Sequence, residues 1–339
     1  MKRVMVVTNS LAGGGAERAM NLICNELIKR EWQVSLVPIN SGITDEVVLK
    51  CEVFPLERNW NGTLLNTVGS LWKFNKVVSK WNPEIIILNC DLPELFGSLL
   101  LSERKLVVLE HTSKAWAKRS TLGRIIRKIL TLRKSIWAAV SNHLTIWPNA
   151  RKPQVILQNS IILPEKKIEV SSSNQIKRLV FIGRLSQEKR PEFALEIARA
   201  TNLEVIFIGE GVLKNELRDN ALKDSIKANF LGWMDNPWFN VKSGDLLIVP
   251  SSLEGDGLTV VEGLAFGAPM LLADIPDLRR FNFPDKQYCA TVNDFVLTIS
   301  KFKNKITELV LDENSSQAIL STRSINVVGD AWTAFLKNA

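Results

Sequence analysis

Residues 245–274, DLLIVPSSLEGDGLTVVEGLAFGAPMLLAD, decide the fold. DLLIV is a short apolar run rich in β-branched side chains, the mark of a strand buried on both faces. PSSLEGDG supplies turn residues, and LTVVEGLAF is long enough for a helix after Gly257. MLLAD is again a strand. Strand, loop, helix and strand in so few residues describe a parallel crossover unit.

The same rhythm runs through the chain. RLVFIG (178–183) and LEVIFIG (203–209) are strands separated by the helical RPEFALEIARA. Upstream, RVMVVTNS, QVSLVPI, PEIIILN, KLVVLEH and IWAAVS follow one another at helix-compatible intervals. The pattern restarts at Arg178, so the expectation is α/β, two Rossmann-like doubly wound domains in tandem. The polar stretch PEKKIEVSSSNQIK marks the junction. The expected domains are 1–165 and 166–324, with a helix over 325–339 packing back on the first.

The chain has 339 residues and no uninterrupted apolar run of spanning length. Its four cysteines are scattered, which argues against a zinc site or a disulfide framework. The net charge of +8 is uneven: residues 1–160 hold 22 Lys and Arg against 12 Asp and Glu, while 161–339 hold 21 against 23. No acid lies between Glu110 and Glu165. The first half therefore has an electrostatic task that the second lacks. No nucleic-acid motif accompanies the charge, so nucleic acid is not an expected partner.

Ligands of open α/β sheets bind at the carboxyl edge. A helix start there offers free N–H groups and partial positive charge, which suits phosphate. Gly255 and Gly257 let backbone approach closely. Glu254 and Glu262 flank this start, and carboxylates repel phosphate. An ionised glutamate only accepts hydrogen bonds, and sugar hydroxyls donate them. A diphosphate with hydroxylated rings on both sides, a nucleotide-sugar, suits both acids; capping and solvation of a helix start is the other reading. FIGRLSQEKRP places Arg184 and Lys189 at the same edge, where two cations can neutralise a diphosphate without a metal, and no D-x-D pair is present. Gly13, Gly14 and Gly15 form a second anion-suited turn after the first strand. His111 ends a strand in VVLEHTS, where a structural role and a hydrogen bond to a sugar hydroxyl are both open. His143 is read as structural.

Together GGGAE, VVLEH, AAVSN, VILQNSI, FIGRLSQEKRP, VIFIGEG, FLGW and PSSLEGDGLTVVEGLAFGAP resemble glycosyltransferase family 4, the retaining nucleotide-sugar transferases of the GT-B fold. The resemblance implies two domains facing a central cleft, a nucleotide-sugar donor, here expected to be a UDP-sugar, and neither cofactor nor metal. It implies that Glu254 contacts the donor sugar and Glu262 the ribose. Arg184 and Lys189 would hold the diphosphate with the amides of Gly257 and Leu258. Gly14 and Gly15 would close over phosphate or acceptor, and His111 would lie beside the donor sugar. Asp256 stands where relatives often carry an aromatic or apolar residue, and is a candidate for donor choice.

Between Ala117 and Val140, Leu122, Ile125, Ile126, Ile129, Leu130 and Ile136 fall on one helical face, with Arg124, Arg127, Lys128 and Lys134 mainly on the other. Such a helix can lie on an anionic membrane surface or pack on its own sheet. The expected activity is hexose transfer to a glycan or lipid-linked acceptor of a bacterial surface polysaccharide. The expected location is cytoplasmic, peripheral on the inner face of the membrane. A basic binding protein on a degenerate transferase scaffold and a nucleotide-sugar epimerase are the alternatives.

Overall fold

The computed structural model describes residues 2–11, 14–41, 50–59, 64–112, 115–117, 119–170 and 175–339. The chain divides into two units, Met1–Ser160 with Arg323–Ala339, and Ile161–Thr322.

In the first unit the strands are β1 (Arg3–Thr8), β2 (Gln33–Pro38), β3 (Glu52–Val53), β4 (Ile85–Asn89), β5 (Lys105–Glu110), β6 (Ile136–Ala139) and β7 (Val155–Ile156). They pair in parallel in the order β3-β2-β1-β4-β5-β6-β7. The helices are α1 (Gly15–Lys29), α2 (Leu64–Trp81), α3 (Asp91–Ser98) and α4 (Ser120–Leu132). Strand side chains alternate between faces. Val4 and Val6 therefore pack with Met20, Ile23 and Leu27 of α1. Met5 and Val7 pack with Phe74, Phe96 and Ile126 of α2, α3 and α4.

In the second unit β8 (Arg178–Ile182), β9 (Glu204–Ile208), β10 (Ala228–Gly232), β11 (Asp245–Val249), β12 (Met270–Ala273) and β13 (Tyr288–Cys289) form a parallel sheet in the order β10-β9-β8-β11-β12-β13. Its helices are α5 (Pro191–Thr201), α6 (Lys214–Lys223), α7 (Leu258–Phe266), α8 (Pro276–Arg279), α9 (Val292–Phe302) and α10 (Glu313–Leu320). Val180 and Leu247 face α7, while Leu179 and Phe181 face α5 and α9. In each sheet the strand order reverses once, between β1 and β4 and between β8 and β11. Those two points are where the chain diverges to opposite sides and leaves a crevice.

The last helix, α11 (Ile325–Asn338), belongs to the first unit. Val328, Trp332 and Leu336, spaced by four, are buried beside α1. Arg30 of α1 pairs with Asp330 and donates to the Asn326 carbonyl at 2.9 Å.

Two expectations are corrected. The units meet between Ser160 and Ile161 rather than near 165, because Ile161 is buried in the second unit's core. PEKKIEV is no free linker: Ile168 N–H bonds the Phe266 carbonyl at 2.8 Å, and Lys167 pairs with Glu313 at 2.7 Å. Residues 171–174 of that stretch, like Gly13 and Lys118, lie outside the described residues.

The second correction concerns the basic segment. Its helix is α4 alone, and Ile136 lies in β6. Arg127 does not join Arg124 and Lys128 in solvent; it is buried beside Ile126 and Leu130. Its guanidinium meets Glu94 at 2.5 Å and Glu110 at 2.7 Å, and bonds the Trp147 carbonyl at 2.7 Å. Glu94 also accepts from Trp116 Nε1 at 2.8 Å. The apolar side of α4 is thus only partly covered. Leu122, Ile125 and Leu132 stay exposed, at 39%, 54% and 74%.

Two buried acids share one arginine, and burial pushes the Glu110 carboxyl up to about 7 against the pull of Arg127. Folding thus favours the protonated form between the ordinary carboxylate range and pH 7. The native state binds the extra proton there, so this group's contribution to stability falls as pH rises to 7 and is flat above. Glu110→Gln should gain stability relative to the parent between pH 5 and pH 8 in urea denaturation. Parallel pH profiles for the two proteins would contradict the cluster.

Candidate active site

The site is assembled at the β8/β11 reversal. Gly183 and Leu185 continue the sheet pairing past β8, their N–H groups bonding the Ile208 and Glu210 carbonyls at 3.0 and 2.9 Å. This needs glycine at 209, where a Cβ would lie 2.0 Å from the Gly183 carbonyl oxygen. Arg184 is therefore presented, exposed, at the carboxyl edge. The chain then makes a short helical turn over Gln187–Lys189 and enters α5 through left-handed Arg190.

The loop after β11 is tied to this turn. Ser252 N–H bonds the Glu188 carbonyl at 2.8 Å, and Thr259 Oγ1 donates to the Ile182 carbonyl at 3.3 Å. Lys189 Nζ consequently sits 2.6 Å from Glu254 Oε1, although 65 residues separate them. Ser251 Oγ donates to the same oxygen at 2.7 Å. Glu254 is buried, and a buried carboxylate needs such partners.

Gly257 is left-handed, with φ at 63°, and its Cβ position lies 2.9 Å from the Phe281 ring. Only glycine fits both constraints. α7 starts at Leu258, so the first-turn amides face the edge where Arg184 and Lys189 stand. Glu262, one turn on, is nearly buried, and its Oε2 accepts from Trp238 Nε1 at 3.0 Å. Trp238 in turn stacks on Phe266 with centroids 5.0 Å apart.

Asp256 points inward. It is buried, its carboxylate lies 3.8 Å from Arg280, and Arg280 also donates to its carbonyl oxygen. Sequence reading missed three residues that hold the loop: Asp277, whose Oδ2 accepts from Glu254 N–H at 2.9 Å, Arg280 and Trp238. All three lie outside the 245–262 stretch, and their residue types carry no spacing signal.

The first unit has its own edge at the β1/β4 reversal. Gly14 precedes α1 as its N-cap and Gly15 is its first residue. Beyond β5, His111 Nε2 lies 2.5 Å from Asn89 Oδ1, while Asn89 Nδ2 donates to Thr8 Oγ1 at 3.4 Å. The amide oxygen is an acceptor, so Nε2 carries the proton and Nδ1 is the basic nitrogen. Burial lowers the imidazole to about 4, which keeps it neutral at pH 7. Cys90, between β4 and α3, has φ 81° and ψ −179°, a region L residues rarely adopt. No spacing argument signals that strain. His143 Nδ1 meets Ser141 Oγ at 2.7 Å.

Gly257→Ala should destabilise the protein by about 1–3 kcal/mol, from the left-handed backbone and the Phe281 contact. Thermal denaturation measures this, and a loss below about 0.5 kcal/mol would contradict the loop geometry.

Comparison with known proteins adds a family match over part of the chain, and a fold. Residues 164–324 match the family described as glycosyl transferases group 1. The Campylobacter jejuni GalNAc-alpha-(1->4)-GalNAc-alpha-(1->3)-diNAcBac-PP-undecaprenol alpha-1,4-N-acetyl-D-galactosaminyltransferase is 24% identical, with 100% of each chain covered. The Escherichia coli O-antigen biosynthesis glycosyltransferase WbnH is 25% identical over 81% of this chain and 82% of its own. Among solved structures, Anabaena Alr3699/HepE in complex with UDP and glucose superposes with a TM-score of 0.78 at 16% identity, over 100% of both chains. Sucrose-phosphate synthase from Thermosynechococcus elongatus gives 0.81 at 14% identity, over 100% of this chain and 99% of that one. The fold is the expected α/β GT-B fold, with two Rossmann-like units. Residues 164–324 are thus similar to the group 1 glycosyl transferases, and the chain shares the fold of these solved structures.

Proposed function

We propose that the protein is a retaining, metal-independent hexosyltransferase of family 4. It moves a sugar from a UDP-sugar to a lipid-linked glycan in bacterial surface polysaccharide synthesis. The observation that carries this is the convergence of Lys189, Glu254 and the start of α7 at one strand-order reversal, with Arg184 beside them. The names of the Campylobacter and Escherichia relatives support the acceptor class, and the UDP bound by HepE supports the nucleotide.

The donor diphosphate takes the amides of Gly257 and Leu258 and the charges of Arg184 and Lys189. Lys189 exchanges Glu254 for phosphate, which turns the Glu254 carboxylate to the donor sugar's hydroxyls. Glu262, oriented by Trp238, accepts from the ribose. Asp256 serves the donor through the loop that it and Arg280 brace. On the first unit, His111 Nδ1 accepts from a sugar hydroxyl, and the Gly14–Gly15 turn closes on phosphate or acceptor. The acceptor hydroxyl attacks the anomeric carbon on the leaving group's face. Its proton passes to the departing phosphate oxygen as that carbon–oxygen bond breaks, with the electron pair leaving on phosphate. Arg184 and Lys189 stabilise that charge.

Among the described residues no helix is long and apolar enough to cross a membrane. We assign the protein to the inner membrane surface through α4, whose uncovered Leu122, Ile125 and Leu132 lie beside Arg124 and Lys128.

Turnover of a nucleotide-sugar panel tests the reading. Glu254→Ala should lower kcat by about 100-fold or more, as loss of a transition-state contact does. Glu262→Ala should mainly raise the donor KM. Equal losses confined to KM in both variants, or no turnover of any nucleotide-sugar by the parent, would contradict it. Consumption of donor without acceptor would favour an epimerase.

A further inference from the structure

The first unit holds a pocket of about 570 Å³ that donor chemistry does not use. It lies between α4 and the chain over 146–154, at the amino edge of β6, opposite the edge that carries His111. Arg124, Lys128, Arg151 and Lys152 line it with Trp137 and Trp147, and among the described residues no carboxylate does. Arg127 also reaches it, but Glu94 and Glu110 already take up that charge. The four other cations are exposed, and among the described residues none of them is in an ion pair. The acid-free run from 111 to 164 removes any carboxylate from their own stretch.

The pocket is a built one. Trp137 N–H bonds Gln154 Oε1 and Gln154 N–H bonds the Trp137 carbonyl, both at 2.8 Å. Ile146 N–H bonds the Arg151 carbonyl at 2.7 Å, which closes the turn. The Arg124 guanidinium lies 5.4 Å from the Trp147 ring centre, inside cation–π range.

We propose that this pocket seats the phosphate headgroup of an anionic phospholipid, which deepens the membrane reading above and rests on it. Charge complementarity selects a phosphate. The neighbouring surface selects a lipid: Leu132 lines the pocket, and Leu122 and Ile125 continue from it along α4, all uncovered. A soluble anion leaves those side chains in water, whereas acyl chains cover them. Tryptophan suits the boundary between headgroup and hydrocarbon.

Two double variants test the proposal, Arg151→Ala/Lys152→Ala in the pocket and Leu122→Ser/Ile125→Ser on the stripe. The parent should co-sediment with vesicles of equal parts phosphatidylglycerol and phosphatidylcholine far better than with phosphatidylcholine alone. The pocket variant should lose about tenfold or more of that partitioning. Lys223→Ala/Lys227→Ala, which removes the same charge from the second unit, should lose almost none. Soluble dihexanoyl phosphatidylglycerol should saturate a tryptophan-fluorescence change in the parent and the stripe variant, and not in the pocket variant. Equal partitioning of parent and pocket variant, equal binding of both vesicle types, or equal saturation by inorganic phosphate would overturn it. UDP affinity should be the same in parent and pocket variant, so the transferase reading stands or falls separately.

Discussion

The Lys189–Glu254 pair exists because strand order reverses between β8 and β11. Their loops leave neighbouring strands for opposite sides of the sheet, and the residues at the reversal meet at the carboxyl edge. A buried acid and a lysine at 2.6 Å hold each other. The pair therefore stores a cation at the mouth of a helix, beside Arg184, without leaving a buried carboxylate unsatisfied. Four further residues of the second unit serve that placement. Gly209 allows the first loop to approach, Gly257 turns the second into α7, and Asp277 and Arg280 fix the backbone between the two glutamates.

The first unit solves a different problem. It surrounds one buried arginine with two carboxylates, a carbonyl and two tryptophan rings, and so anchors α4 to α3 and to the end of β5. The cost is a carboxyl that titrates near neutrality. The gain is orientation. With Arg127 turned inward, Arg124 and Lys128 share the outer side of α4 with Leu122, Ile125 and Leu132. That combination fits a surface that is charged at its boundary and apolar beneath.

Much of this is legible in the chain. Apolar β-branched runs bounded by glycine turns specify the parallel strands, and the restart at Arg178 specifies the second sheet. Glu254, Glu262, Arg184 and Lys189 stand out because loops at carboxyl edges have a known position. Other features depend on contacts that periodicity does not encode. Helical spacing sorts Arg127 with Lys128, since it carries no knowledge of Glu94, 33 residues upstream. PEKKIEV reads as a linker by composition, yet Ile161 and Ile168 pack into the second unit. Trp238 and Asp277 support the two glutamates from elsewhere in the chain, where nothing local marks them. Asp256 reads as an open acid by residue type, and only its burial against Arg280 reveals an inward role.

The central claim is that protein cations at the β8/β11 reversal meet the donor's phosphates. Calorimetric titration of UDP in the presence of a metal chelator measures this directly. The account predicts saturable binding by the parent and a loss of about tenfold or more in the Arg184→Ala/Lys189→Ala variant. Absence of UDP binding, or equal affinity in the two proteins, would contradict it.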